Sequence, residues 1–276
     1  MQVRHSTNPA QIRSFDTKAL RENYLVDDLF ADDEFRATYS HEDRVVLGGA
    51  RPVTSSIRLT SFDVLRTDNF FDNREAGIVN VGSPGTITVD GVDQAMDTGS
   101  CLYVGRGAVE VIFASAASAA PAAFYLFSAT AHQSHPTTLV PQGQGIVRRL
   151  GSQETSNERT INQYIHLDGV RSCQVVMGVT ELGSGSMWNT MPAHTHDRRT
   201  ECYLYFGLAP EHRVVHLLGE PTETRHLIVA NQEAVISPSW SLHSGFGTGS
   251  YSFVWAMAGE NQPFDDMDHV QAADLR

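Results

Sequence analysis

Met191-Pro192-Ala193-His194-Thr195-His196-Asp197-Arg198-Arg199-Thr200-Glu201 is answered downstream by Pro238-Ser239-Trp240-Ser241-Leu242-His243. The pattern is His-x-His, a four-residue gap, Glu, and one further His about forty residues on. Alternate side chains of a strand share a face, so His194 and His196 point the same way. A tight turn through residues 197–200 then sets Glu201 on the next strand, and His243 enters from a third. Three imidazoles and a carboxylate are a complete ligand set for a divalent transition metal. The spacing therefore predicts a metal centre of His194, His196, Glu201 and His243 at the mouth of a small β-barrel. His-x-His alone reads equally well as two surface histidines beside an acidic turn. It is Glu201 and His243, each in a β-like run, that tip the reading toward a metal.

The flanking sequence supports a barrel. From about residue 44 short β-rich runs follow one another, split by Gly, Pro, Ser, Asn and Asp. They include residues 45–47, 77–81, 85–89, 101–104 and 109–113, with Asp90-Gly91 as a hairpin turn. A second series runs from about 175 to 257, through 202–206, 214–218, 226–229, 234–236 and 251–255. Stretches 114–121 and 130–144 are rich in Ala, Ser, Gly, Pro and Gln and read as the connection between halves. Only residues 17–26 carry a helical signal, with Leu20 and Tyr24 at i, i+4 and Asp16 or Thr17 as the cap. The expectation is a mainly all-β chain: an N-terminal helical and extended segment (1–43), a first barrel (44–145) and a second, metal-binding barrel (146–276). Laying residues 74–81 over 200–207 places Glu75 on Glu201, Asp68 and Phe70 on the two histidines, and Val109 near His243. The first barrel has, on this alignment, lost its metal ligands.

With 41% hydrophobic and 19% charged residues, the 276-residue chain has the composition of a folded globular protein. Its net charge of -12 argues against nucleic acid as a partner. An anionic substrate would need a local arginine cluster to overcome that field. Three widely spaced cysteines, with no Cys-x-x-Cys, fit a reducing cytoplasm. No apolar run approaches the ~20 residues that span a bilayer, so no membrane partner is expected.

Arg198 and Arg199 follow the histidine pair and are candidates to bind a substrate carboxylate, although solvated turn arginines read equally well. Arg159 and Arg225 are weaker candidates. Trp240 flanks His243 and is a candidate cavity residue, whereas Trp255 reads as core packing. His5, His132, His135, His212 and His269 sit in polar, turn-like surroundings and read as solvated. His166, His216 and His226 read as hydrogen-bonded core or edge residues.

At the ligand residues the chain resembles the cupin superfamily and, within it, the 4-deoxy-L-threo-5-hexosulose-uronate ketol-isomerase family. The resemblance extends over Asn189 to His196, Val235 to Ser241 and Gly259 to Val270. It also takes in Tyr39-Ser40-His41 and Gly85 to Gly91 in the first half, so it covers nearly the whole chain. It implies a bicupin, two tandem jelly-roll barrels, with one Zn2+ per subunit on His194, His196, Glu201 and His243. It also implies a cytoplasmic hexamer acting on a small anionic keto-sugar. Trp188 stands where cupins usually carry Gly, and Gly247 where they carry Asn; neither departure touches a ligand.

The implied reaction is an aldose–ketose isomerisation, in which a Lewis-acid metal holds the charge of a cis-enediolate. The base stays open among a metal-bound hydroxide, Tyr203, Tyr205 and a carboxylate of the Asp265-Asp266-Met267-Asp268 run, Asp266 among them. The ligand set also accepts manganese, iron or nickel. The rival readings are a cupin dioxygenase and a non-catalytic sugar-binding bicupin.

Overall fold

The computed structural model describes all 276 residues, Met1–Arg276. The chain begins with β1 (Gln2–Arg4), α1 (Pro9–Ile12), α2 (Thr17–Tyr24), β2 (Leu25–Val26), β3 (Phe30–Ala31) and β4 (Glu34–Ser40). It continues through β5 (Val46–Ala50), β6 (Ile57–Arg58), β7 (Arg74–Asn80), β8 (Gly85–Val89), β9 (Val92–Met96) and β10 (Cys101–Val104). Next come β11 (Val111–Ser115), β12 (Phe124–Thr130), β13 (Thr138–Val140), β14 (Ile146–Leu150), β15 (Arg159–Ile165) and β16 (Val176–Leu182). The last third holds β17 (Trp188–Thr195), β18 (Arg199–Phe206), β19 (Val214–Glu220), β20 (Glu223–Val229), β21 (Ala234–Ser237), β22 (His243–Gly247), β23 (Ser252–Gly259) and β24 (Asp268–His269).

Local chemistry explains the boundaries. Asp16 caps α2 by accepting from the Ala19 amide at 2.8 Å, satisfying one free donor of the first turn. Asp90 and Gly91 both take positive φ, the backbone that a two-residue turn between twisted strands demands, and they join β8 to β9.

The strands form a bicupin. In the first barrel a large sheet, ordered β1-β4-β5-β12-β7-β10-β13, faces a small one, β6-β11-β8-β9. In the second, β14-β15-β16-β23-β18-β21-β2 faces β20-β19-β22-β17-β24. Residues 1–43 are woven into both barrels: β1, β3 and β4 join the first large sheet, and β2 pairs β21 at the edge of the second. The stretch read as a connection holds a central strand between its two halves, since β12 pairs both β5 and β7.

Three apolar clusters hold the molecule. One fills the first barrel (Phe70, Ile78, Phe113, Phe124) and one the second (Val176, Phe253, Trp255). The third lies between the barrels, where Tyr103, Tyr125 and Phe127 meet Cys202, Leu204 and Ala256. The expected match of Glu75 to Glu201 is off by one residue. Ala76 and Ile78 enter the first barrel, so Ala76 faces inward as Glu201 does, while Glu75 points to the other barrel. Val109 is likewise no counterpart of buried His243, because it lies 61% exposed before β11. Hydrocarbon therefore fills the first barrel where the second carries its polar cluster.

Candidate metal centre

Three strand ends converge on one point. His194 is the penultimate residue of β17, His196 lies just past its end, Glu201 lies early in β18, and His243 opens β22 opposite His194. All four are buried, and their donor atoms lie within 4.8 Å of one another. His243 Nε2 is 2.8 Å from His194 Nε2 and 3.0 Å from Glu201 Oε2, and His196 Nε2 is also 3.0 Å from Glu201 Oε2.

The outer nitrogens set the tautomers. His196 Nδ1 lies 2.9 Å from the Arg199 carbonyl, which only accepts, so the proton sits on Nδ1 and the Nε2 lone pair faces inward. His243 Nδ1 reaches Ser237 Oγ at 3.3 Å. Burial alone would raise the Glu201 carboxyl, but His243 and His196 hold it well below the ordinary carboxylate range. Burial and the facing His243 push His194 down to about 2, so its imidazole is neutral. Burial also opposes a charge on His196, and the Glu201 carboxylate outweighs it and raises the pKa. The Glu201 carboxylate thus draws positive charge to the inward nitrogens, a place a divalent cation would take. The donor set thus fits a divalent metal, and the cluster can hold one.

A cavity of about 260 Å³ opens beside His194 and Glu201. Tyr203, Trp255 and Phe253 form part of its wall, and Phe264, Asp265 and His269 of the C-terminal segment complete it. Thr190 lines it with φ of 52°, a left-handed conformation that costs a β-branched residue ~1–3 kcal/mol. The strain sits beside the ligands.

The other expected site residues separate sharply. Tyr203 lines the cavity, with its ring 5.5 Å from that of His243. Burial and then Glu201 push its phenol well above the usual range, so it stays protonated. Tyr205 lies beneath, its hydroxyl 2.7 Å from Nδ1 of His216, an imidazole that burial lowers to about 3.

Arg198 and Arg199 do not face the cavity. β17 ends at Thr195, so the alternation that would have aimed Arg198 with His196 breaks at the turn. Arg198 instead grips Asp266 through two bonds, at 3.0 and 2.8 Å, and reaches Asp268 at 2.9 Å. Arg199 is fully buried and donates to the Pro263 and Asp266 carbonyls. Both arginines pin the C-terminal strap, and Asp266, occupied by Arg198 and Asn261, is held off the cavity with them. Trp240 donates to the Thr7 carbonyl, outside the cavity.

Asp265, from the acidic run held open for the base, lines the cavity, as do Arg148, which the sequence reading did not single out, Trp255, which it read as core packing, and His269, which it read as solvated. β24 pairs His269 with His194, their ring centroids 6.0 Å apart. The one available signal was the acidic run before His269, which marks a turn returning to the site. Arg159, held above as a weaker candidate, does line the cavity.

Comparison with known proteins gives the chain a family. A relative from Kineococcus radiotolerans, named 4-deoxy-L-threo-5-hexosulose-uronate ketol-isomerase, is 63% identical with both chains fully covered. One of the same name from Escherichia coli O8 is 48% identical, again over both full lengths. Among solved structures, an IolB-like protein from Salmonella typhimurium superposes with a TM-score of 0.72 at 15% identity, covering 91% of this chain and 99% of its own. Oxalate decarboxylase from Lactobacillus farciminis superposes at 0.62 and 9% identity, covering 91% and 88%. These two carry the bicupin fold alone. A family model matches residues 24–272, and by that match and the full-length relatives the chain belongs to the KduI/IolB family.

Proposed function

We propose that the protein is a metal-dependent ketol-isomerase that converts 4-deoxy-L-threo-5-hexosulose uronate to 3-deoxy-D-glycero-2,5-hexodiulosonate in pectin and uronate breakdown. One observation carries the reading: a buried three-histidine, one-glutamate cluster opens on a cavity, in a chain that matches isomerases of this name end to end. The reading includes one zinc ion per subunit on His194, His196, Glu201 and His243, since such nitrogen and oxygen donors suit zinc. It includes a cytoplasmic hexamer, and no helix here is long and apolar enough to cross a membrane. Residues 44–145 act as a scaffold barrel filled with hydrocarbon.

The isomerisation moves the C2 hydrogen to C1 and a proton from O2 to O1. His194, His196, Glu201 and His243 would hold the divalent ion, which when bound would supply Lewis-acid polarisation of the carbonyl. Tyr203, kept protonated, lines the cavity and takes the role of relaying the proton that O2 gives up to O1, regaining one as it donates the other. His269, a wall residue whose strand pairs with that of His194, takes in this reading the role of removing the C2 proton and returning it to C1. Trp255 and Phe264, their ring centroids 5.2 Å apart, give the cavity an apolar wall.

Proton NMR of the purified protein with the keto-uronate in deuterated water, before and after chelation, tests this reading. Conversion to the diulosonate that chelation abolishes is the expected result. An unchanged spectrum from protein assayed to hold metal sinks the proposed substrate.

A further inference from the structure

The ladder between β14 and β15 sets Arg148 opposite Ile161 and Leu150 opposite Arg159. Alternation then puts both arginines on one face, and that face is a wall of the same cavity that His194 and Glu201 line. The two are bound very differently from Arg198. Arg159 makes a single bond, from Nη1 to the Asn157 carbonyl at 3.0 Å, and no carboxylate comes within 4.0 Å of its guanidinium. That is notable in a chain with 32 acidic residues. Its half-burial strips away water without supplying a counter-charge, and burial is the one cause lowering its pKa. Arg148 stands 5.5 Å over the Phe264 ring and 3.8 Å from Asp265. That pair is exposed on both sides, 43% and 82%, and an exposed pair at this length is worth little and exchanges readily.

A half-buried guanidinium without a counter-charge, facing a cavity, gains most from an anion brought to it. The planar fork matches a carboxylate through two parallel bonds, which no neutral hydroxyl reproduces. We propose that Arg159, joined by Arg148 on release from Asp265, forms the subsite that reads the carboxylate of a sugar acid bound at the His194–Glu201 end of the cavity. The proposal deepens the isomerase reading and rests on it for the reacting end of the substrate. It makes the site selective for acids over neutral sugars, and it supplies the local positive charge that an anionic substrate needs in a chain of net charge -12.

The test is steady-state kinetics on the metal-loaded enzyme with Arg159→Met, Arg159→Lys and Arg148→Met, each assayed for bound metal. Arg159→Met should raise KM by about 10- to 100-fold, as loss of a charge-assisted pair does, with metal content unchanged. Arg159→Lys should recover part of that loss, and Arg148→Met should show a smaller rise. Arg148 lies on an exposed strand, so its variant keeps the test open if Arg159→Met does not fold. Unchanged KM in the variants alongside normal wild-type turnover overturns the subsite and leaves the isomerase standing. If the wild type does not turn the keto-uronate over, the isomerase reading falls, and tryptophan fluorescence titration with D-galacturonate and D-galactose decides the subsite, because Trp255 lines the cavity. Binding of galacturonate alone, lost in Arg159→Met, supports it. Equal binding by both proteins, or none by the wild type, overturns it.

Discussion

At the scale of the residue, the four donors differ in how they are held, and that difference predicts how each fails. His196 is fixed on its outer side by the Arg199 carbonyl and on its inner side by Glu201. Replacing it with Ala removes one donor and leaves Glu201 with fewer neighbours to offset its burial. His196→Ala should therefore lose its metal, read by elemental analysis, and lower turnover by more than about 100-fold, since even groups that merely orient a ligand are worth 10- to 100-fold. His269 has a different role in the proposed reaction and makes no bond to the donors. His269→Gln should keep its metal and lose about 100-fold in kcat, the scale of a positioned acid–base group. Equal losses of metal in both variants would count against that division of labour. The donors were readable because His-x-His obeys the period of a strand, and Glu201 and His243 fall in runs of clear β character. Arg159, Trp255 and His269 were harder, because each comes from a strand distant in sequence, and nothing local shows which wall faces a cavity. Arg198 and Arg199 misled for the opposite reason: adjacency to the ligands suggested a site, but the chain turns between them.

At the scale of the element, the C-terminal strap is the part whose behaviour the sequence conceals most. It carries Phe264, Asp265 and His269 of the cavity wall, yet it has only the two-residue strand β24 to hold it. The fastening is done by Arg198 and Arg199 instead. Arg198 and then Asn261 hold the Asp266 carboxyl down to about 2, below the ordinary carboxylate value. A folded-state pKa that is depressed means stabilisation present above about pH 4 and lost as pH falls from about 4 toward about 2. Protection of the amides of 261–270 against hydrogen exchange, taken relative to their intrinsic rates, should fall over that window in the wild type. In Asp266→Asn the same amides should already be poorly protected at pH 7, with little further loss of protection on acidification, and kcat should fall by about 10- to 100-fold as the wall loses its position. Exchange rates identical to wild type at pH 7 would show that the strap is held by something other than this pair. Register is the second lesson at this scale. A strand repeats every two residues, so an alignment wrong by one turns every side chain over. That is how Glu75 came to be matched with Glu201, although it faces away from its own barrel.

At the scale of the whole molecule, the two barrels form one body, and Glu75 is a principal reason. Its carboxylate accepts from the amides of Cys173, Gln174 and Val175 at 2.7, 2.7 and 2.9 Å, and from the Tyr103 hydroxyl at 2.7 Å. It thus ties β7 of the first barrel to the segment entering β16 of the second. Around it the two large sheets press their apolar faces together through Tyr125, Phe127, Leu204 and Ala256. Two tandem barrels were legible from the spacing of short strands and turns, but this contact was not. A strand buried on both faces reads as a continuous apolar run, as Phe124-Tyr125-Leu126-Phe127 does, and such a run gives no alternation to follow. A shared core and a shared ion-dipole lock should make unfolding all-or-none across both barrels. Calorimetry should show a single transition despite the two-barrel architecture. Glu75→Ala leaves three amides without their carboxylate, and hydrogen bonds to a charged group are worth ~1.5–3 kcal/mol each. The variant should lose at least about 3 kcal/mol and melt ~5–10 °C lower. Its metal content should match the wild type, because Glu75 lies outside the second barrel's interior. A variant that melts in two steps would show that the lock, more than the apolar interface, couples the barrels. A variant with wild-type stability would show that water replaces the carboxylate at the three amides, and the lock would then contribute nothing.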